Sequence, residues 1–197
     1  MPKVALTLEE KLAKFKMTHE FYGESSQKFR ELGYTEEQID RIVFRPSSKN
    51  TIKKLLELHD DLIKHFSCTQ LAKIAAHNGG SKNLEAVKNC FDALRVLGFE
   101  ATSIEKMVAH IGGSKNLEAV KSCFDALRAL GFEAISIEKM VAHDGGSKNL
   151  EAVKSCFDAL RALGFEATSI EKMVAHGGGS KNLEAVKSCF DALRALG

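Results

Sequence analysis

The chain has 197 residues, of which 44% are hydrophobic and 27% are charged, and its net charge is +2. This apolar content excludes an intrinsically disordered chain, because enough surface can be buried to offset the entropy lost on ordering. The small net charge argues against a polyanionic partner unless the lysines gather on one surface. The first residues do not read as a signal peptide, and no apolar run reaches membrane-spanning length, so we expect a soluble intracellular protein.

The first 65 residues carry a weakened form of a unit that recurs further along the chain. Residues 1–33 end in Phe-Arg-Glu-Leu-Gly, close to the ending of the later units, and we expect them to form an N-terminal cap or a degenerate repeat. Residues 34–65 are predicted to be a degenerate repeat, one residue short, because Ile39 and Ser48-Lys49-Asn50 match positions of the later units. Terminal units of an array lack one neighbour and therefore diverge.

Four units of 33 residues follow: 66–98 (repeat 1), 99–131 (repeat 2), 132–164 (repeat 3) and 165–197 (repeat 4). Repeats 2 to 4 differ at only two positions, the fourth and the thirteenth. The fourth is Thr, Ile and Thr in turn, whereas the thirteenth is Ile111, Asp144 and Gly177, with Asn78 in repeat 1. Cysteines recur with the same period, so they indicate one repeated structural position and not a disulfide framework.

Each repeat is predicted to form two helices joined by a glycine loop. In repeat 2, a short first helix from Ser103 to His110 has apolar residues at helical spacing, and Gly112-Gly113 ends it. Ser114 is expected to be the N-cap of a second helix, whose apolar stripe consists of Leu117, Val120, Phe124, Leu127 and Leu130. Gly131 ends that helix. One hairpin cannot bury its stripe alone, so we expect an all-α solenoid of stacked 33-residue helix-loop-helix repeats.

The thirteenth position of the repeat is the candidate recognition position. Packing does not explain its variation, because core positions such as Phe124 are the same in every unit. Neutral drift does not explain it either, since drift would also have changed the exposed lysines and glutamates. We infer that each repeat presents a different chemistry to a different element of a regular polymer, one element per repeat.

These residues carry a family resemblance. His110-Ile111-Gly112-Gly113, followed by a lysine and a leucine and recurring every 33 residues, resembles the repeat of the transcription activator-like effectors and their divergent relatives. The resemblance is strong over 66–197 and weak over 34–65. It implies a right-handed superhelix that follows the major groove of double-stranded DNA, with the twelfth and thirteenth residues facing one strand. Most flanking residues differ from those of the best-known members, and the lysine lies one place later in the first turn of the second helix.

The thirteenth residues predict a DNA sequence. Asp144 can accept a hydrogen bond from the cytosine amino group, and Asn78 can donate to a purine N7. Gly177 leaves room for the methyl group of thymine. The family pattern implies guanine for Asn78 and adenine for Ile111, so we expect the core 5′-GACT-3′, read from repeat 1 to repeat 4.

Phosphate contacts are expected at the start of the second helix, where free backbone N–H groups and a lysine coincide. One lysine per repeat at this place would also gather positive charge on one surface, which the small net charge does not indicate. The predicted phosphate-binding residues are Gly79, Gly80, Lys82, Gly112, Gly113, Lys115, Gly145, Gly146, Lys148, Gly178, Gly179 and Lys181.

A row of histidines occupies the twelfth position of the repeats: His77, His110, His143 and His176. A metal array is the alternative interpretation, but it would have one ligand per repeat and no accompanying carboxylate or cysteine. The resemblance implies instead that each histidine braces the loop by bonding back to the first helix. We therefore expect neither a metal nor another cofactor.

A basic cluster in the degenerate repeat comprises Arg41, Arg45, Lys49, Lys53 and Lys54. It is either a solvated helix face or a DNA contact. In the resembled family the leading degenerate repeats grip the backbone and read a base ahead of the array. Arg45 lies beside the position equivalent to His110, and its guanidinium fits the O6 and N7 of guanine. We therefore expect a guanine immediately before the core.

The alternatives to DNA binding are a helical-repeat scaffold for protein interactions, with variation spread over a concave face, and an RNA-binding solenoid. We do not expect an enzyme or a small-molecule substrate, because no catalytic constellation stands apart from the repeat. We expect no contact with membranes. The last repeat is expected to be open to end-to-end stacking on a second copy. An effector would act in a host nucleus, although the chain has no clear nuclear localisation cluster.

Overall fold

The computed structural model describes residues 6–110, 112–142, 145–175 and 179–195, without the side chains of residues 190 and 193–195. Within these residues it contains twelve helices and no strand, so the all-α prediction is confirmed. The helices are α1 (Leu8–Lys14), α2 (His19–Glu31), α3 (Glu36–Val43), α4 (Ser48–Leu62), α5 (Cys68–Ala76), α6 (Gly80–Val96), α7 (Ala101–Val108), α8 (Ser114–Ala129), α9 (Ala134–Val141), α10 (Ser147–Ala162), α11 (Ala167–Ala175) and α12 (Ser180–Ala195). Across the described residues, none of these helices has the length and apolar character needed to cross a bilayer.

The chain forms two compact units, Met1–Lys88 and Asn89–Gly197, and the division falls inside α6. In the first unit, α3 packs against α2, α4 and α5. Phe29, Ile39 and Leu55 are completely buried in its core. Side-chain caps begin most of its helices: Thr7, Thr18, Thr35 and Ser67 each accept a hydrogen bond from a backbone N–H group of the first turn.

The second unit contains three near-identical hairpins, α7–α8, α9–α10 and α11–α12. The first helix of each hairpin packs on the first helix of the next, and the second helix on the second. Four of the five predicted stripe residues of α8 are buried: Leu117, Val120, Phe124 and Leu127. Leu130 is half-buried, because it is the C-cap residue at the end of the helix.

The ends of the second helices agree with the sequence prediction, but their starts do not. Gly131 has φ +91°, and the N–H of Phe132 bonds to the carbonyl of Leu127 at 3.0 Å, which is the Schellman arrangement. Ser114, predicted to be the N-cap, is instead the first helical residue. Gly113 takes the N-cap position and, having no side chain, makes no side-chain capping bond.

Three of the four repeated cysteines are buried packing residues. Cys90, Cys123 and Cys156 are buried, and Cys189 is exposed. All of them are free thiols.

Candidate nucleic-acid interface

A short loop joins the two helices of a repeat, and the thirteenth position falls within its sequence. In repeat 2 this loop covers residues 109–113, and in repeat 1 it covers residues 77–79. Asn78 is exposed there. The predicted site residues outside the described part of the chain are Ile111, His143, Asp144, His176, Gly177 and Gly178.

Two consecutive glycines give the loop its shape in repeats 2 and 3. Gly112 and Gly113 have φ +112° and +51°, and Gly145 and Gly146 repeat these angles closely. Positive φ is cheap only for glycine, which confirms the glycine pair as the break between the helices. Repeat 1 differs, because Gly80 is already the first residue of α6.

A buried asparagine that sequence reasoning missed joins the end of the first helix to the next repeat. Asn116 is completely buried. Its Nδ2 donates to the carbonyl of Met107 near the end of α7, at 2.8 Å. Its Oδ1 accepts from the N–H of Ser147 at 3.0 Å, and Ser147 is the first residue of α10 in the next repeat. The asparagine therefore ties its own hairpin to the following one.

The same arrangement recurs in the next repeat. Asn149 donates to the carbonyl of Met140 at 2.8 Å and accepts from the N–H of Ser180 at 3.0 Å. In repeat 1 the Nδ2 of Asn83 donates to the carbonyl of Asn78, the varying residue itself, at 3.1 Å.

One signal in the sequence could have revealed this asparagine. Asn116 lies one helical turn before Val120, so it occupies the apolar stripe of the second helix. A polar residue kept unchanged on an apolar stripe predicts a satisfied buried group.

The free backbone N–H groups expected at the helix start are largely engaged. The N–H of Lys115 bonds to the carbonyl of Gly112, and that of Asn116 to the carbonyl of Gly113, each at 3.1 Å. The N–H of Ser147 is taken by Asn116, as described above. This part of the phosphate-site prediction is wrong, because tight turns and the preceding asparagine satisfy donors that a helix start usually leaves open.

The lysines at the start of the second helices remain the candidate anion-binding groups. All four are exposed, and among the described residues none is in an ion pair. Two lysines of the first helices are in ion pairs instead: Lys106 pairs with Glu138 and Lys139 with Glu171, each at 3.1 Å. The row consists of Lys82, Lys115, Lys148 and Lys181.

Arg45 and Asn78 line one cavity in the first unit, together with Lys82 and the loop around them. The cavity has a volume of about 310 Å³. Arg45 is exposed and has no ion pair among the described residues, whereas Arg41 of the same basic cluster pairs with Glu37 at 2.8 Å. Two predicted base-reading residues and one predicted phosphate-binding lysine are therefore brought together.

The loop of the degenerate repeat differs in length from the other described loops. It covers residues 44–47, one residue fewer than the loop of repeat 2. Ser47 is the N-cap of α4 with φ +61° and makes no side-chain capping bond. Within the basic cluster, Lys54 pairs with Glu57 at 2.9 Å, and the ammonium of Lys49 lies 5.7 Å from the ring centroid of Phe21.

The described histidines of the row are not equivalent. His77 is half-buried and is the C-cap residue of α5, whereas His110 is exposed. The bracing role of His110 stays a prediction. In the residues that the structure covers, no group of three or more His, Cys, Asp or Glu side chains could hold a metal ion.

Two comparisons with known proteins found no relative. No protein-family model matches the chain, and no curated protein matches it at a significant level.

Proposed function

We propose that the chain binds double-stranded DNA sequence-specifically and reads one base with the thirteenth residue of each repeat. One observation carries this proposal: the single strongly varying position of the repeat comes four residues before a constant lysine, which is exposed in the first turn of the second helix. DNA has the matching pattern, because each nucleotide combines a constant phosphate with a varying base.

The position of the lysines supports a functional role. They lie in the first turn of the second helices, where the positive end of the helix dipole disfavours a cation by about 0.3–1 kcal/mol. The first turns contain no acidic residue that would offset this cost. A cation placed unfavourably at a helix start in every repeat, without a structural gain, is typical of a binding site.

The stacking of the hairpins supports modular reading. In the second unit, equivalent helices pack on each other from one hairpin to the next, so equivalent loops follow one another along one edge of the stack. We propose that this arrangement continues as a right-handed superhelix of 33-residue repeats in the major groove, and that the repeats select 5′-GACT-3′.

The cavity beside repeat 1 supports the reading of one further base. Arg45 and Asn78 line the same space, so a guanine bound by Arg45 would directly precede the base read by Asn78. The five donors of a guanidinium suit the O6 and N7 of guanine. The proposed site is therefore 5′-GGACT-3′.

The test compares binding to a DNA duplex carrying 5′-GGACT-3′, a duplex with these bases permuted, the equivalent RNA duplex and each single strand. We expect the tightest binding to the first duplex, with each wrong base costing about 1–3 kcal/mol. Preference for an RNA form would replace DNA by RNA as the partner. Equal binding to both DNA duplexes would remove base reading, and no binding to any of these nucleic acids would favour a protein scaffold.

A further inference from the structure

The amide of Asn116 uses both of its ends inside the protein. It donates to the carbonyl of Met107 in one hairpin and accepts from the N–H of Ser147 in the next. Asparagine suits this double contact because a carboxamide carries a donor and an acceptor, whereas aspartate offers acceptors only and leucine offers neither. Loss of the amide would leave the carbonyl of Met107 and the N–H of Ser147 without this hydrogen-bond partner.

The two bonded groups flank two successive base-reading residues. Met107 lies four residues before Ile111, and Ser147 lies three residues after Asp144. One buried side chain thus connects the segment that leads into one recognition loop with the segment that leaves the next.

The loop backbone also lies directly against this amide. A Cβ atom built on Gly112 would be 2.3 Å from the Oδ1 of Asn116, and one on Gly145 would be 2.4 Å from the Oδ1 of Asn149. Only glycine fits after the base-reading residue, because a side chain there would collide with the amide. The amide and the loop backbone are therefore close neighbours.

We propose that this asparagine is a positioning residue that couples the reading of neighbouring bases. Asn116 sets the loop of repeat 2 through Met107 and the loop of repeat 3 through Ser147. A substitution in one repeat therefore changes recognition of its own base and of the next base. This inference rests on the proposed function.

Three variants separate the two halves of the contact. Asn116→Asp keeps an acceptor for Ser147 and loses the donor to Met107. Ser147→Pro removes the N–H at the first helical position, where proline is tolerated, and keeps the bond to Met107. Ser147→Ala keeps the N–H and is the matched control.

Hydrogen exchange measured by mass spectrometry tests the coupling without DNA. The loop peptides of repeats 2, 3 and 4 differ in mass, because they contain Ile111, Asp144 and Gly177. In Asn116→Ala we expect exchange about fivefold faster or more in the loop peptides of repeats 2 and 3, with repeat 4 unchanged. Ser147→Pro should accelerate exchange in repeat 3, while Ser147→Ala should behave as wild type. Faster exchange in repeat 2 alone would overturn the coupling.

Base selection from a randomised duplex library tests the consequence for reading. Asn116→Asp should weaken discrimination at the second letter of the core, Ser147→Pro at the third, and Asn116→Ala at both, by about tenfold. Lower affinity with unchanged preference, or equal loss at all four letters, would make the asparagine purely structural and contradict the proposal. If the wild-type chain selects no base, the proposed function fails, and the exchange experiment still decides whether the loops are coupled. Should Asn116→Ala fail to fold, the aspartate and proline variants carry both tests.

Discussion

Replacing Lys82, Lys115, Lys148 and Lys181 with alanine removes one exposed cation from the start of each second helix. No ion pair among the described residues is broken by this change, and the repulsion between each lysine and its helix dipole is relieved. We therefore expect the thermal stability of the free protein to stay constant or to rise slightly, so that a loss of binding cannot be ascribed to unfolding.

The magnitude follows from counterion release. Each phosphate contact contributes a slope of about 0.9 to the fall of log K with log salt, so four contacts contribute about 3.6. Between about 50 and 200 mM salt, this part of the slope lowers wild-type affinity by roughly 150-fold. The fourfold variant should lose that portion of the salt dependence and should weaken on all DNA sequences about equally.

The matched control removes the same charge from the same helices at another position. Lys121, Lys154 and Lys187 lie six residues further along the second helices of repeats 2 to 4 and serve as the control for a variant of Lys115, Lys148 and Lys181. Lys88 of repeat 1 is left unchanged, because it pairs with Asp61 at 2.9 Å. Fluorescence anisotropy titrations at several salt concentrations give the slopes for the wild type and each variant. The reasoning is refuted if the fourfold variant keeps the wild-type slope, or if the control variant loses as much of it as its matched variant.

Three further changes test individual residues. Asp144→Asn should move the preferred third base of the core from cytosine toward a purine in a binding selection, because an amide can donate where a carboxylate only accepts. Arg45→Ala should erase the preference for guanine before the core, at a cost of about 1–3 kcal/mol in competition binding. Burial holds the pKa of His59 below its ordinary value of 6.5, so unfolding takes up a proton and chemical denaturation should show stability falling as the pH drops below about 6.5.

Each of these predictions has an outcome that would contradict it. Equal shifts at all four letters would show that Asp144 does not act in its own repeat alone. A uniform loss over all four bases would make Arg45 a phosphate contact, and no loss would return it to a solvated helix face. His59 is buried and its Nδ1 lies 3.2 Å from the hydroxyl of Tyr34, so His59→Phe should remove its share of the pH dependence. An unchanged pH profile in that variant would assign the effect to other histidines.

Periodicity predicted the helices and the core of each repeat well. The first helix of repeat 2 was expected from Ser103 to His110 and is found at Ala101–Val108, because the chain enters it from Glu100 as the N-cap. The apolar stripe of the second helix and the glycine that follows it are where the spacing places them, since both depend on local geometry.

The loop was predicted less completely, because its hydrogen bonds join residues that are far apart in sequence. Ser114 has the side chain of a good N-cap, yet the structure uses Gly113 there, and the N–H of Ser147 is capped by an asparagine 31 residues earlier. No local pattern encodes a bond between neighbouring repeats. This bond occupies the N–H of Ser147, and local turns occupy those of Lys115 and Asn116, so the open N–H groups of the phosphate-site prediction are engaged.

Exchanging the residues at the thirteenth position of repeats 2 and 3 tests the central claim most directly. These repeats differ elsewhere only at Thr102 and Ile135, so the double variant Ile111→Asp, Asp144→Ile moves two recognition residues within a nearly constant scaffold. Selection from a randomised duplex library should then yield 5′-GCAT-3′ in place of 5′-GACT-3′, with the first and last letters retained. An unchanged preference for 5′-GACT-3′, or loss of preference at all four letters, would contradict the reading of one base by one repeat.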